Sequence, residues 1–235
     1  MNLIYKAQLA LQAQGFDPGK VDGVYGPNTA KAIRAFQRSR HIKATGQLGP
    51  RTISQLFGSD QVKPLLEEPV WYQHAKTFLG TKEIPGAKSN PTIIGWAKGL
   101  GKSVSSYFNN DDIPWCGLFL AHIMTVNVPD EPIPSNPLGA REWAKYGVSS
   151  PTPALGDILV FWRGSPNGWQ GHAGFYAGES NTAYKVLGGN QSNAVTDDAW
   201  ISKTRLIDAR RPKNSQFNAK PVLYTASGKL STNEA

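Results

Sequence analysis

The sequence predicts an α+β protein: a small three-helix module, then a larger domain whose helices precede a short-stranded antiparallel sheet. Three observations carry this. "GVYGPNTAKAI" (residues 23–33) and "GQLGPRTISQL" (46–56) repeat one pattern, G-x-x-G-P-x-T, at an offset of 23. "GSDQVKPLLEEPV" (58–70) mixes charges with prolines and reads as a linker. Beyond it, helical stripes give way to short β-rich runs bounded by Gly, Pro, Ser and Asn. The expected boundaries are a module over 1–60, a linker over 61–70, a larger domain over 71–213 and a flexible C-terminal tail over 214–235.

The first helix, "YKAQLALQAQG", stops at Gly15, a suitable C-terminal residue. Each repeat then supplies a Gly-rich turn, a Pro at the helix start and a Thr in the first turn. Between them, Ala32, Ile33, Ala35, Phe36 and Ile42 form a helical stripe. The larger domain opens on "WYQHAKTFLGTKE", with a stripe through Trp71, Ala75, Phe78 and Leu79 that ends near Gly80 and places His74 at the surface. "NPTIIGWAKGLG" and the run after Cys116 predict further helices. "GDILVFWRG", "GHAGFYAGE" and "AYKVLGGNQ" predict strands.

No apolar stretch approaches the length of a membrane span, and the first twenty residues lack the apolar core of a secretory signal. A single cysteine in 235 residues gives no intrachain disulfide framework and fits a reducing compartment. The net charge is +8, of which +5 falls in residues 1–60. A basic module of this kind suits nucleic acid, an anionic membrane or an acidic cell wall, and charge alone does not choose among them.

Residues 7–57 resemble the small peptidoglycan-binding domain, on Leu11-Gln12, Gly15, Asp22-Gly23, Gly26, Thr29, Phe36-Gln37, Gly46, Gly49 and Thr52. The resemblance implies binding to the bacterial wall; the glycines themselves imply only turns.

"DDIPWCGLF" (111–119) sets a cysteine at the start of a helix, with Pro114 in its first turn and Asp111 or Asp112 placed to cap it. Free N–H groups and the helix dipole would lower the thiol pKa there, as a nucleophile needs; the other role open to such a cysteine is core packing. A base must come from four histidines. His41 lies in the module and His74 in another helix; His122 is about 240° round the helix axis from Cys116. His172, between glycines at a strand start, remains. A hairpin centred on Asn181 pairs His172 with Asn190, and opposed Cβ atoms lie roughly 5 Å apart. Asn190 would then orient the imidazole of a Cys-His-Asn triad.

Residues 71–212 resemble the CHAP and NlpC-type cysteine amidase/peptidase superfamily, in a phage-lysin-like branch. "LGTKEIPG", "DDIPWCGLF", "PALGDILVFWRG", "GHAGFYAG" and "VLGGNQSNAV" follow the family's order. The resemblance implies a papain-like α+β fold, with Cys116 as nucleophile, His172 as base and Asn190 as orienting residue. Many family members carry Glu two residues before that Asn, where this chain has Gly188, so a triad is expected here. Trp115, Glu83, Trp169 and Gln191 are the candidate substrate-binding residues.

The expected activity is therefore hydrolysis of a stem-peptide amide in peptidoglycan by a monomeric phage endolysin, as endopeptidase or N-acetylmuramoyl-L-alanine amidase. It requires no metal or organic cofactor, no nucleic acid and no stable membrane insertion. Absence of a signal implies accumulation in the host cytoplasm and release through a separate pore. Two other classes stay open: an inactive wall-binding or phage structural protein, and a glycosidase, for which Glu83 and Asp112 show no pairing signal. Zinc chemistry fits poorly, since the histidines lack ligand spacing. Asp157 in "LGDIL" reads as a turn residue.

Overall fold

The computed structural model describes residues 3–58, 68–86, 88–213, 215 and 220–232. The expected linker, 61–70, lies outside the described residues up to position 67. Helices α1 (Leu3–Ala13), α2 (Pro27–Ser39) and α3 (Pro50–Phe57) enclose a core of Leu3, Ile4, Leu11, Ile33, Phe36 and Ile53. The repeat has a mechanical explanation that its glycines alone do not reveal. Gln8 is buried and clamps the first turn: its Oε1 accepts from the N–H groups of Asp22 and Gly23, and its Nε2 donates to Val24 O and Thr29 Oγ1. Gln37 does the same for the second turn, through Gly46 N–H, Gln47 O and Thr52 Oγ1. The clamped glycines, Gly23 and Gly46, have φ of 77° and 80°, a left-handed backbone that disfavours any side chain. The structural glutamine of α1 is therefore Gln8, one helical turn before the expected Gln12, which is exposed.

The second unit joins helices to a six-stranded antiparallel sheet. Its helices are α4 (Val70–Lys76), α5 (Pro91–Gly99), α6 (Lys102–Ser105) and α7 (Cys116–Asn127). The strands are β1 (Val148–Ser149), β2 (Ile158–Trp162), β3 (Gly171–Glu179), β4 (Ala183–Gln191), β5 (Ala194–Ser202) and β6 (Leu206–Arg211), in the order β1-β6-β2-β3-β4-β5. Strand alternation gives the sheet two apolar faces. Ile158, Val160, Ala173, Phe175 and Leu187 meet Leu118, Phe119 and Ile123 of α7. On the opposite face Leu159, Phe161, Tyr176, Tyr184, Val186 and Ile201 form a second cluster. Buried on nearly every side, α7 needs its almost wholly apolar sequence. The two units also touch: Val70 and Val126 pack into the core of the N-terminal helices, and Leu3 N–H donates to Gln73 Oε1 at 3.3 Å.

Three expectations need correction. The C-terminal stretch expected as a flexible tail is docked over its described part. Val222 accepts from Glu179 N–H, Tyr224 N–H donates to Glu179 O, and Ser231 N–H donates to Trp200 O. Val222 also packs against the second sheet face, which would otherwise lie open. Asp111 and Asp112 do not cap α7. The N-cap is Trp115, without a side-chain cap, and the buried Asp111 accepts from the N–H groups of Ile84 and Asn90. His74 is not at the surface but 1% exposed: it follows Trp71 by three residues and shares that residue's inward face.

Candidate functional site

The segment before α7 is held from two sides. Trp115 N–H donates to Asn190 Oδ1 at 3.2 Å, and its indole Nε1 donates to Glu83 Oε1 at 2.6 Å. Asn190 Nδ2 donates to the same Glu83 oxygen at 2.8 Å, closing a three-residue network. The indole leaves no space beside Gly189, where a Cβ would come within 2.6 Å of the ring. After the cysteine, a Cβ on Gly117 would stand 2.5 Å from Pro137 O. Gly117 is thus demanded by the close approach of α7 to the 137–138 backbone.

Cys116 begins α7 with its thiol among the backbone N–H groups of Ala173, Gly117 and Cys116 itself, with the positive charge of Arg163 nearby. All four favour thiolate. Burial opposes them and prevails, pushing the thiol pKa above its ordinary value. The lowered pKa expected from the helix start alone is thus reversed, because the sequence shows the dipole and not the enclosure.

Ala173, whose N–H favours the thiolate, directly follows His172 on β3. His172 is 2% exposed, and its Nε2 lies 3.1 Å from Gln191 Oε1. The Gln191 amide nitrogen donates to Val186 O, Thr196 O and Thr196 Oγ1, which fixes the oxygen toward the ring. A carbonyl oxygen only accepts, so Nε2 carries the hydrogen and Nδ1 is the basic nitrogen.

The expected partner, Asn190, does not orient His172: its side-chain bonds go to Trp115 and Glu83. The pairs Phe175↔Leu187 and Tyr176↔Val186 keep the register of a hairpin centred on residue 181. The register shifts by one between Tyr176 and Gly178, so the turn-side pairs are Gly178↔Lys185 and Glu179↔Tyr184, and the alternation breaks again at Asn190, whose φ is 57°. A bulge between Gly188↔Thr196 and Gln191↔Ala194 precedes a two-residue turn of Ser192 and Asn193, both left-handed. Asn190 consequently shares the Trp115 side with Gly189, and Gln191 takes the imidazole.

The other candidates separate clearly. Trp115 is fully buried and Gln191 is 3% exposed, so both support the site and do not line a cleft. Glu83 is half-buried, and burial raises its carboxyl pKa, partly offset by the indole hydrogen bond. Trp169 is 85% exposed in the β2–β3 loop that also carries Arg163. Asp157 is a buried carboxylate that accepts two bonds from Arg211 at 2.7 Å. His41 is exposed in the module. Among the described residues no group of three or more His, Cys, Asp or Glu side chains gathers as a metal site, and no helix is long and apolar enough to cross a membrane.

His74 and His122 form a separate buried pair with ring centroids 5.7 Å apart; His74 Nδ1 faces Asn127 Nδ2 at 2.8 Å, and His122 stacks on Trp96. Burial lowers their pKa values to about 3 and about 4 from 6.5. The unfolded chain therefore binds protons below 6.5 that the folded chain refuses, and stability falls as pH drops from 6.5 toward 4. Thermal melts should show Tm level above pH 7 and descending across that window, with a shallower descent in His122→Phe. A melt curve equally steep in both proteins would contradict the assignment.

Residues 1–56 match the family model for a peptidoglycan binding domain. No curated protein and no solved structure matches the chain. The N-terminal module is thus a peptidoglycan-binding domain, which suggests association with the cell wall, and the chain as a whole mixes helix with an antiparallel sheet.

Proposed function

We propose that the second unit is a papain-like cysteine hydrolase of the CHAP/NlpC type, cleaving an amide of the peptidoglycan stem as endopeptidase or N-acetylmuramoyl-L-alanine amidase. The observation that carries this is Cys116, the sole cysteine, at the start of a helix with its thiol facing the N–H of the residue after His172. A cysteine serving only to pack needs no N–H donors at its sulfur.

In the proposed reaction Cys116 Sγ attacks the amide carbonyl carbon. Because burial keeps the resting thiol neutral, His172 takes its proton as attack proceeds and passes it to the leaving nitrogen when the C–N bond breaks. Water, activated by the same imidazole, then hydrolyses the thioester, returning a carboxylate and the free thiol. Cys116 N–H would donate to the oxyanion. Trp169, exposed beside this region, offers a stacking face for a wall sugar. The peptidoglycan-binding domain keeps the enzyme on an insoluble substrate and raises its local concentration. A phage endolysin acting from the host cytoplasm fits this arrangement.

Mass spectrometry of digested walls tests the reaction class. Free stem peptides beside intact glycan identify an amidase, and shortened stems still on muramic acid identify an endopeptidase. New reducing sugar ends would refute both. Within this mechanism Gln191→Ala should lower kcat about a hundredfold and leave KM nearly unchanged, since it frees the imidazole without touching substrate. Gln191→Glu should restore part of kcat and move the pH profile toward alkali, as a carboxylate holds the imidazolium charge. An unaltered pH profile would reduce Gln191 to a structural role.

A further inference from the structure

A cavity of about 520 Å³ lies between the N-terminal module and the second unit. Its walls include Lys43 and Arg51 from the module, and Trp71, Asn127, Asp130 and Lys213 from the second unit. All four charged residues are exposed, and none forms an ion pair among the described residues. Asn127 is 3% exposed; its amide nitrogen donates to Ile123 O, but its Oδ1 accepts no hydrogen bond among the described residues.

We propose that this cavity binds an uncleaved stem peptide of peptidoglycan, gripped by both units at once. The volume suits a ligand of a few residues. Lys43, Arg51 and Lys213 match the stem carboxylates, which the neutral acetylated sugars of the glycan do not offer. Asp130 calls for an ammonium donor, which a peptide has and a polyphosphate wall polymer lacks. The site is not the hydrolytic one. Asn127 and Cys116 are the opposite ends of the 12-residue α7, about 16 Å apart along its axis. A stem held here would fix the enzyme on one strand while Cys116 works on a neighbouring one. This inference rests on the wall-binding module and not on the cysteine chemistry.

Calorimetry of the full-length Cys116→Ala protein with a purified stem tetrapeptide tests it without hydrolysis. Arg51→Glu and Lys213→Glu should each weaken binding about tenfold or more, as should amidation of the peptide carboxylates. Lys31→Glu, an exposed module position outside the cavity, should bind as well as the parent. Lys213→Glu binding like the parent would overturn the two-unit site, as would tighter binding of a glycerol-phosphate polymer than of the tetrapeptide. All these positions are exposed, so folding is not at risk, and circular dichroism confirms it. Wall clearing by the unmodified chain, measured alongside, reports separately on the hydrolase.

Discussion

Cys116→Ala clears purified peptidoglycan at least about a thousandfold more slowly than the unmodified chain, yet still sediments with the walls. The size of the loss follows from the chemistry. Without sulfur no thioester forms, and His172 with its oriented ring can at best activate water directly. The retained binding follows from the architecture: the peptidoglycan-binding domain spans residues 1–56 and has its own core, far from the thiol. Packing should survive too, because the change removes one atom at a helix start whose position is set by Trp115, Asn190 and Glu83. Turbidity loss and co-sedimentation check the two halves. Clearing at the unmodified rate would return Cys116 to a packing role and favour the inactive or glycosidase alternatives.

Arg211→Ala destabilises the chain by about 3 kcal/mol, because it removes the half-buried cation that pairs with a buried carboxylate. The Asp157 side chain is 3% exposed and receives the Arg211 guanidinium through two bonds of 2.7 Å. Ser150 Oγ and Ala154 N–H hold its remaining lone pairs. Losing the cation leaves a carboxylate that burial penalises and two neutral donors cannot balance. Arg211 ends β6, and Asp157 stands just before β2, so the pair fastens the neighbouring strands that support β3. Tm should fall by roughly 6–12 °C for a chain of this size. Asp157→Asn with Arg211→Met should recover most of the loss, since neither charge is then buried. A lone Arg211→Ala melting within a degree of the unmodified chain would show that the pair contributes nothing.

Much of the site's neighbourhood was legible because it depends on local signals. The helix start at Cys116, the strand near His172 and the pairing of β3 with β4 follow from spacing and turn residues, while the bulge between Tyr176 and Gly178 does not. Elimination among the histidines leads to His172 even though His74 is misplaced, for His74 and His122 form a separate buried pair. The parts that were not legible depend on a single left-handed residue and on depth. Asn190 reads as a strand residue, and period-2 alternation would put it beside the imidazole; a φ of 57° turns it away and exchanges its place with Gln191. The same short segment therefore contained the partner, one position later. The thiol pKa illustrates depth: sequence displays the dipole that lowers it, while the burial that raises it exists only in the folded chain. Trp115 reads as a cleft residue for a similar reason, since nothing in "PWCG" announces that its indole is covered by Gly189 and Glu83.

Module and tail extend the same lesson. The glycines of the repeat are visible as turns, but their glutamine clamps, Gln8 and Gln37, are polar residues on helices and give no hydrophobic signal. Residues 220–232 are polar enough to suggest a free tail; what docks them is backbone pairing with Glu179 and Trp200, which composition does not report.

The most direct measurement is to mix the chain with a soluble disaccharide-peptide fragment of the wall, quench with acid within the first turnover and analyse the tryptic peptides by mass spectrometry. An acyl adduct on the peptide containing Cys116, lost on treatment with hydroxylamine, is the expected result. Steady cleavage of the fragment with Cys116 unmodified at every quench time, and continuing in Cys116→Ala, would contradict the account.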